Sequence, residues 1–376
     1  MSDNKRENIF LQIYHTWLLE GKLALTDIGV LIFMILLPIA YPIVYSAIYD
    51  PELVRDIPVV VVDDSRCAES RRYVQLLDAT ENVGVAGYAA DMQEARKALN
   101  EKRCYGIIHF DSEFGRHVGR SEQAHIEMYS DAGVLIRYKN ILTALTSVTS
   151  TGMSKSSTKI VPFKMIPVGN SAMGLATAIL PGILVIILQQ AFVLAIAMVS
   201  ATRRDQRKIG GGIDPRGEVN ANAVCSVIGR ALFYICIMLP VSVFLLHVVP
   251  WMFSFPMAGT VMDKMLMVVP YTVAIVFFAL TLQVFVRERE ATFPVLVVTS
   301  LFVLFLSGTS WPRYAMNGFW TLIGDCFPST WGVQGLTAIA NMGASISEQS
   351  EAFHALWILA GIYFVLAVLV KRFIDR

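Results

Sequence analysis

The chain alternates between long apolar runs and one long polar stretch. Residues 28–49 carry no charge over more than the ~20 positions a helix needs to cross a bilayer. Residues 50–165 are polar and mixed. Residues 166–376 then hold apolar runs at 172–199, 229–253, 265–286, 292–308 and 354–370. Six transmembrane helices are therefore predicted. Pro38 and Pro42 would kink the first, which membrane helices tolerate when neighbours satisfy the freed carbonyls. Between the last two runs, residues 309–352 place Trp311, Pro312, Trp320, Pro328 and Trp331 among apolar pieces too short to cross. These read as re-entrant or interfacial helices with an aromatic belt.

Ahead of the first run, Phe10, Ile13, Tyr14, Trp17, Leu18 and Leu25 recur near helical spacing, interrupted by His15, Glu20 and Lys22. An aromatic-bearing helix in that position is expected to lie in the membrane interface, within a segment comprising residues 1–27. Packing on a soluble partner is the alternative.

The polar stretch has a pattern of its own. The valine run 59–62 suits a strand buried on both faces. A helical stripe through Tyr73, Val74, Leu76 and Leu77 follows it. Residues 83–90 read as a second strand, and Asp91 with Glu94 makes a capping box for a helix through Met92, Ala95 and Leu99. Residues 105–110 and 125–129 read as further strands, and 132–153 as a long helix running toward the membrane. Such alternation predicts a small α/β domain with a mostly parallel sheet.

Composition agrees with a membrane protein. Of 376 residues, 55% are hydrophobic and 16% charged, against a usual charged share of about 25%. Mean hydropathy is +0.55. The net charge of +1 gives no global pull toward nucleic acid, but its placement is asymmetric. With six crossings, Lys5, Arg6, Lys22, Arg203, Arg204, Arg207, Lys208, Arg216, Arg287, Arg289, Lys371, Arg372 and Arg376 share one side. The other side's short connections hold only Lys264 and Arg313. The basic side is cytoplasmic by the positive-inside rule, so residues 50–165 face outward. The polar start of the chain does not read as a cleaved signal peptide.

Catalytic signatures are missing. GxxxxGK[ST], HExxH and CxxC do not occur. Gly210-Gly211-Gly212 lacks a phosphate-binding lysine and reads as a flexible loop. Gly169-Asn170-Ser171-Ala172-Met173 misses the final glycine of a nucleophile elbow. Asp63, Asp64, Asp111 and Asp131 fall at strand ends, where capping competes with cation binding. His109, His117 and His125 are not spaced as a ligand set, so no metal is expected. Cys225 and Cys236 lie in or beside a span and Cys326 in the re-entrant region. Cys67 and Cys104 fall at opposite ends of the predicted parallel pair, which disfavours a disulfide. Arg230 sits just inside a span, near enough its end to snorkel as an anchor. Gln189 and Gln190 lie deeper. Bonding across a helix interface and lining a path are both open for them.

The order of these features resembles the type-two ATP-binding-cassette export permeases of bacteria. VVVVDDSRCAESRRYVQLLDA is similar to that family's opening ectodomain strand and helix, and AADMQEARKALNEKRCYGIIHFDSEFGR to the repeat that follows. LPGILVIILQQ resembles its second span and Gly229-Arg230 the start of its third. FVRERE followed by FLSGTSWP resembles its turn and fifth span, with Ser307-Gly308 and Pro312. One departure stands out. ATRRDQRKIGGGIDPR is basic and glycine-rich where the family carries an acidic, glycine-threonine coupling helix.

The resemblance implies a permease with no catalytic residue and no directly bound cofactor, ATP and magnesium being held by a separate ATP-binding-cassette ATPase. That ATPase would dock on Arg203, Arg204, Asp205, Arg207 and Lys208 and on the turn at Arg287 and Glu288. It also implies a second permease copy or paralogue, a path for which Gln189, Gln190 and Ser307 are candidates, and an ectodomain that gates the exit or meets a periplasmic adaptor. The expected place is the bacterial inner membrane, amid lipid and with both termini cytoplasmic. Substrates range from drugs to lipids and envelope components. A non-transporting receptor or scaffold shares the topology. A membrane-embedded enzyme would need a convergent catalytic set that the chain lacks.

Overall fold

Where the apolar side chains are buried divides the chain. The computed structural model describes residues 8–48, 55–120, 122–130, 135–152, 175–209, 222–255, 258–286 and 288–374. They form two compact units, one of Pro51–Ile166 and one of Met1–Asp50 with Pro167–Arg376. The second unit begins with helix α1 (Ile9–Thr26) and helix α2 (Ile28–Ile48).

In the unit Pro51–Ile166, strands β1 (Ile57–Asp63), β2 (Val83–Tyr88), β3 (Gly106–Phe110) and β4 (Ile126–Ser130) make one sheet in the order β2-β1-β3-β4. β1 is parallel to β2 and β3, and β4 is antiparallel to β3. The valine run of β1 is covered on both faces, as its unbroken apolarity demands. Val59 and Val61 pack with Ile108 and Phe110, under α3 (Ala68–Asp78) and α6 (Leu135–Gly152). Val62 and Ile107 pack with Ala95 of α4 (Met92–Asn100). The predicted capping box forms: Asp91 accepts from the Glu94 N–H at 2.8 Å, and Glu94 accepts from the Ala90 N–H at 2.8 Å. A short helix α5 (Phe114–Gly119) went unpredicted.

The predicted helix over 132–153 is present as α6 and packs over the sheet. Ile141 reaches Gly106, and Tyr73 donates a hydrogen bond to the Leu145 carbonyl at 2.9 Å. Its stripe Ile141, Ala144, Leu145 and Val148 is what the sheet needs as a cover. Cys67 and Cys104 are free thiols.

The other unit continues with α7 (Leu175–Ile209), α8 (Ala223–Met252), α9 (Val261–Leu282), α10 (Thr292–Leu306), α11 (Gly318–Asp325), α12 (Pro328–Met342) and α13 (Ser350–Ile374). Among the described residues, five helices are long and apolar enough to cross a membrane: α2, Ala178–Asp205 of α7, α8, α9 and Ser350–Arg372 of α13. Six were predicted. The difference is α10, whose 15 residues extend about 22 Å against a hydrocarbon core of about 30 Å. It stops where Ser307 bonds back to the Leu304 carbonyl at 3.0 Å and Gly308 takes φ +92°, a left-handed conformation that glycine allows.

α11 and α12 fold as a hairpin against this bundle. A Cβ on Gly332 would meet the Tyr271 ring at 2.5 Å, and one on Gly335 would meet Met267 at 2.6 Å. Gly259 abuts the Ile339 carbonyl. α12 therefore runs antiparallel to α9 along a seam of small residues, which let backbones approach closely.

α1 is built inside out. Thr16, Glu20, Gly21 and Ala24 are buried, while Phe10, Tyr14, Leu18 and Leu25 are exposed. An apolar outer face suits a helix bathed in lipid and would be unfavourable in water.

Candidate functional site

The basic ends of these helices meet in one polar network. Its centre is Glu20 of α1, which is 1% exposed. Arg203 of α7 forms an ion pair with it, Tyr234 of α8 donates to it at 2.7 Å, and Arg230 Nε of α8 lies 3.8 Å away. The sequence puts these groups within reach by letting α1 and α8 touch. A Cβ on Gly229 would lie 2.6 Å from the Ile13 carbonyl, and one on Gly21 would lie 3.1 Å from the Phe233 ring. Burial alone would raise the Glu20 pKa. The charges of Arg203 and Arg230, with the Tyr234 and Arg203 hydrogen bonds, outweigh it and hold the carboxyl below its usual range.

The network continues into the next elements. Arg204 donates to the carbonyls of Val286 and Gln283, the latter at 2.9 Å, just past the C-terminus of α9. A cation there complements the negative end of the helix dipole. Ser200 donates to Gln283 at 2.7 Å. Arg289 pairs with Asp27 at 2.8 Å, and Asp27 in turn caps α2 by accepting from the Gly29 N–H at 3.0 Å. Burial pushes the Asp27 carboxyl up, but Arg289 and the cap hold it below its ordinary value. α1, α2, α7, α8, the end of α9 and the turn after it are thus tied together by charge.

This changes the picture of the predicted docking residues. Arg203 is 6% exposed and turned inward, and Arg204 is spent on carbonyls within the chain. Arg230 does not snorkel: it is 4% exposed beside Glu20. Asp205 is half-buried and Glu288 exposed. Arg207 and Lys208 lie on the last turn of α7, with side chains outside the described residues, as are Arg287, Arg216 and the whole of Gly210–Gly212.

The candidate path residues do not converge. Gln189 is fully buried, with neither amide atom hydrogen-bonded among the described residues. Gln190 accepts from Thr299 of α10 at 3.4 Å, which joins two helices. Ser307 is buried in its turn, its hydroxyl 3.0 Å from both the Leu304 carbonyl, to which it donates, and the Thr309 hydroxyl.

Of the acidic strand ends in the other unit, Asp63 holds the turn after β1, and Asp111 has a buried oxygen with no hydrogen-bond partner among the described residues. Asp63 accepts from the Ser65 hydroxyl at 2.7 Å, the Arg66 N–H at 2.9 Å and the Ser70 hydroxyl at 2.7 Å. Asp64 pairs with His109 at 3.0 Å. Asp131 and Gly169–Met173 lie outside the described residues. Among the described residues no group of three or more His, Cys, Asp and Glu is arranged to hold a metal.

Sequence reasoning missed Glu20 as the centre. The one signal was a lone carboxylate in an otherwise apolar stretch, with Tyr234 and Arg230 one helical turn apart on a distant run.

Searches of curated proteins and of solved structures found no match. The family described as ABC-2 family transporter protein matches residues 28–369, nearly the whole chain. The chain belongs to the ABC-2 transporter family: it is a multi-pass membrane permease subunit, not itself the ATPase, and its family implies an ATP-binding-cassette ATPase as partner.

Proposed function

We propose that the chain is the permease of an exporter in a bacterial inner membrane, moving a drug, lipid or envelope component outward. In this reading it crosses six times, α10 serving as the fifth crossing with bilayer thinning or flanking residues making up its length. Both termini lie in the cytoplasm, and the unit Pro51–Ile166 stands outside, at the exit or against a periplasmic adaptor. Two permeases, identical or paralogous, flank the path within the lipid.

The observation that carries the reading is the charged network at the basic end. Two ATPase subunits closing on ATP would press on the stretch after Lys208 and on the turn at Arg287 and Glu288. Arg203 and Arg204 then act as transmitting struts, because they join α7 to α1 and to the end of α9. A push on either stretch moves these helices as one body, the kind of rigid rocking that alternates access.

The test is purification of the chain from native membranes through a C-terminal tag. A stoichiometric P-loop partner with vanadate-sensitive ATP hydrolysis is the expected result. A clean sample with no such partner would overturn the reading in favour of a receptor or scaffold.

A further inference from the structure

Helix α12 starts in the interior of the bundle. Gly332 abuts Tyr271, ten residues into α9, or about 15 Å along it, half of a hydrocarbon core of about 30 Å. Phe327, the N-cap residue, meets Phe278 edge-on at 5.9 Å. The first turn of α12 has neither a side-chain cap nor an acidic residue. Pro328 at its first position has no N–H and the Thr330 N–H is bonded to the Phe327 carbonyl at 3.1 Å, so the start offers the Ser329 N–H and the positive end of the dipole.

Three polar side chains gather on the facing surfaces. Ser329 and Thr330, in the first turn of α12, are fully buried, and their hydroxyls have no hydrogen-bond partner among the described residues. Gln189 of α7 is likewise buried and unpartnered at both amide atoms. The register of α7 against α12 sets them opposite one another. Asn341 donates to the Ala178 carbonyl at 3.4 Å, and a Cβ on Gly182 would lie 3.6 Å from Val333. Those contacts count in opposite directions, so Gln189 falls across from roughly residues 326–330 at 1.5 Å of rise per residue. Helical periodicity also aims them. Gln189 lies two turns from Gly182 and one from Val185, whose carbonyl accepts from Tyr271 at 2.6 Å, so it shares the face turned to α9 and α12. Ser329 lies one turn from both Gly332 and Val333, the residues that touch α9 and α7.

Between α10 and α11 lies an open-sided apolar pocket of about 550 Å³, lined by Leu301, Phe302, Phe305 and Leu306 of α10 with Trp311 and Trp320, all but Leu306 about half exposed. Its volume is within the usual range for ligand sites, roughly 300–1,000 Å³. Its Leu306 carbonyl would lie 3.2 Å from a Cβ on Gly324, four residues before α12 begins.

We propose that the start of α12, with Ser329, Thr330 and Gln189, binds the oxyanion head group of an amphiphile, whose apolar tail occupies the cavity between α10 and α11. Helix starts bind oxyanions through their N–H groups, and broken membrane helices present such starts to anionic substrate groups. Naming the amphiphile as cargo rests on the permease reading; the site itself does not.

The test is thermal unfolding of the full-length chain in detergent, without its ATPase, so that binding is read apart from transport. The probes are dioleoyl phosphatidic acid, dioleoylglycerol and inorganic phosphate. The expected result is a saturable rise in Tm on the order of 5 °C with phosphatidic acid a hundredfold above its Kd, and little with dioleoylglycerol or phosphate. The variant Q189L/S329A should lose that rise while its own Tm is unchanged or higher, since removing buried unpaired polar groups relieves a desolvation penalty. Thr330→Val is the second variant, with a smaller loss expected. Equal shifts with phosphatidic acid and dioleoylglycerol, or a shift retained in both variants, as when interior waters alone serve these groups, would overturn the site. A shift with phosphate alone would overturn the amphiphile.

Discussion

Arg203 of α7 and Glu20 of α1 form an ion pair across 183 positions of sequence, and solvent reaches 6% of one and 1% of the other. Arg230 Nε lies 3.8 Å from the same carboxylate. Such a pair adds little net stability, because desolvating the charges offsets their attraction. What it supplies is geometry: α1 has one place to sit against α7 and α8.

Glu20→Gln should therefore be strongly destabilising. It removes the carboxylate that Arg203 pairs with and Arg230 faces inside the bundle, and breaking a buried pair from one side costs on the order of 3–5 kcal/mol. Thermal unfolding in detergent reads it. Glu20→Leu with Arg203→Met should recover only part of the stability, since Arg230 and the Tyr234 hydroxyl stay buried beside the lost carboxylate, and transport should stay impaired because the strut is gone. A single Glu20→Gln variant with wild-type Tm would contradict the burial of this group.

The seam between α1 and α8 gives a sharper contrast. At Gly229 the obstacle is the Ile13 backbone carbonyl, 2.6 Å from an added Cβ, which cannot move without moving α1. Gly229→Ala should cost about 1–3 kcal/mol, as overpacking does, and expose α1 to protease. At Gly21 the obstacle is the Phe233 ring at 3.1 Å, a side chain that can turn aside. Gly21→Ala should be milder. Equal effects at the two glycines would mean that α1 is held elsewhere.

Arg204 and Glu288 separate transmission from contact. Arg204→Met removes the cation from the carbonyls at the end of α9, a loss of about 1–2 kcal/mol, and should lower transport more than ATP hydrolysis. Glu288 is exposed, so Glu288→Lys should leave Tm unchanged and weaken association with the ATPase, measured by co-purification. A changed Tm with intact association would reverse these roles.

The parts of the architecture that follow from local pattern were readable in the sequence. An unbroken apolar run over 28–49 admits few other fates, and the valines of β1 already implied a sheet covered on both faces. Asp91 and Glu94 needed only each other. The site was less legible because it depends on pairs far apart in the chain. Glu20 reads as a blemish on an amphipathic helix until Arg203, Arg230 and Tyr234 are brought to it. The inward turn of Arg203 and Arg204 was hidden for the same reason: a basic cluster looks alike whether it meets a partner or its own carbonyls. The end of α10 was placed two residues late, because nothing in Ser307-Gly308 alone shows that the backbone turns there.

In the unit Pro51–Ile166, His109 of β3 joins two strands by charge. Its Nδ1 is 2.9 Å from Glu127 of β4 and its Nε2 is 3.0 Å from Asp64, just past β1. Burial alone would push the imidazole down, but the bonds to Glu127 and Asp64 win and hold it above its ordinary 6.5. Glu127 is correspondingly held below its ordinary 4.5, first by His109 and then by Tyr129, with His125 adding a smaller pull; Arg96 of α4 also faces Tyr129. A raised imidazole contributes stability that is complete below 6.5 and is lost as pH rises through the folded value. A lowered carboxyl contributes stability that is complete above 4.5 and is lost as pH falls through its folded value. Both contributions are whole only between those limits. Hydrogen exchange on the full-length chain, corrected for intrinsic rates, should show β4 amides losing protection as pH rises from 6.5. The opposite edge strand, β2, lacks such a histidine and should hold its protection. His109→Gln should remove the pH step in β4. If β2 and β4 lose protection together, the unit loosens as a whole and the bridge is not what secures its edge.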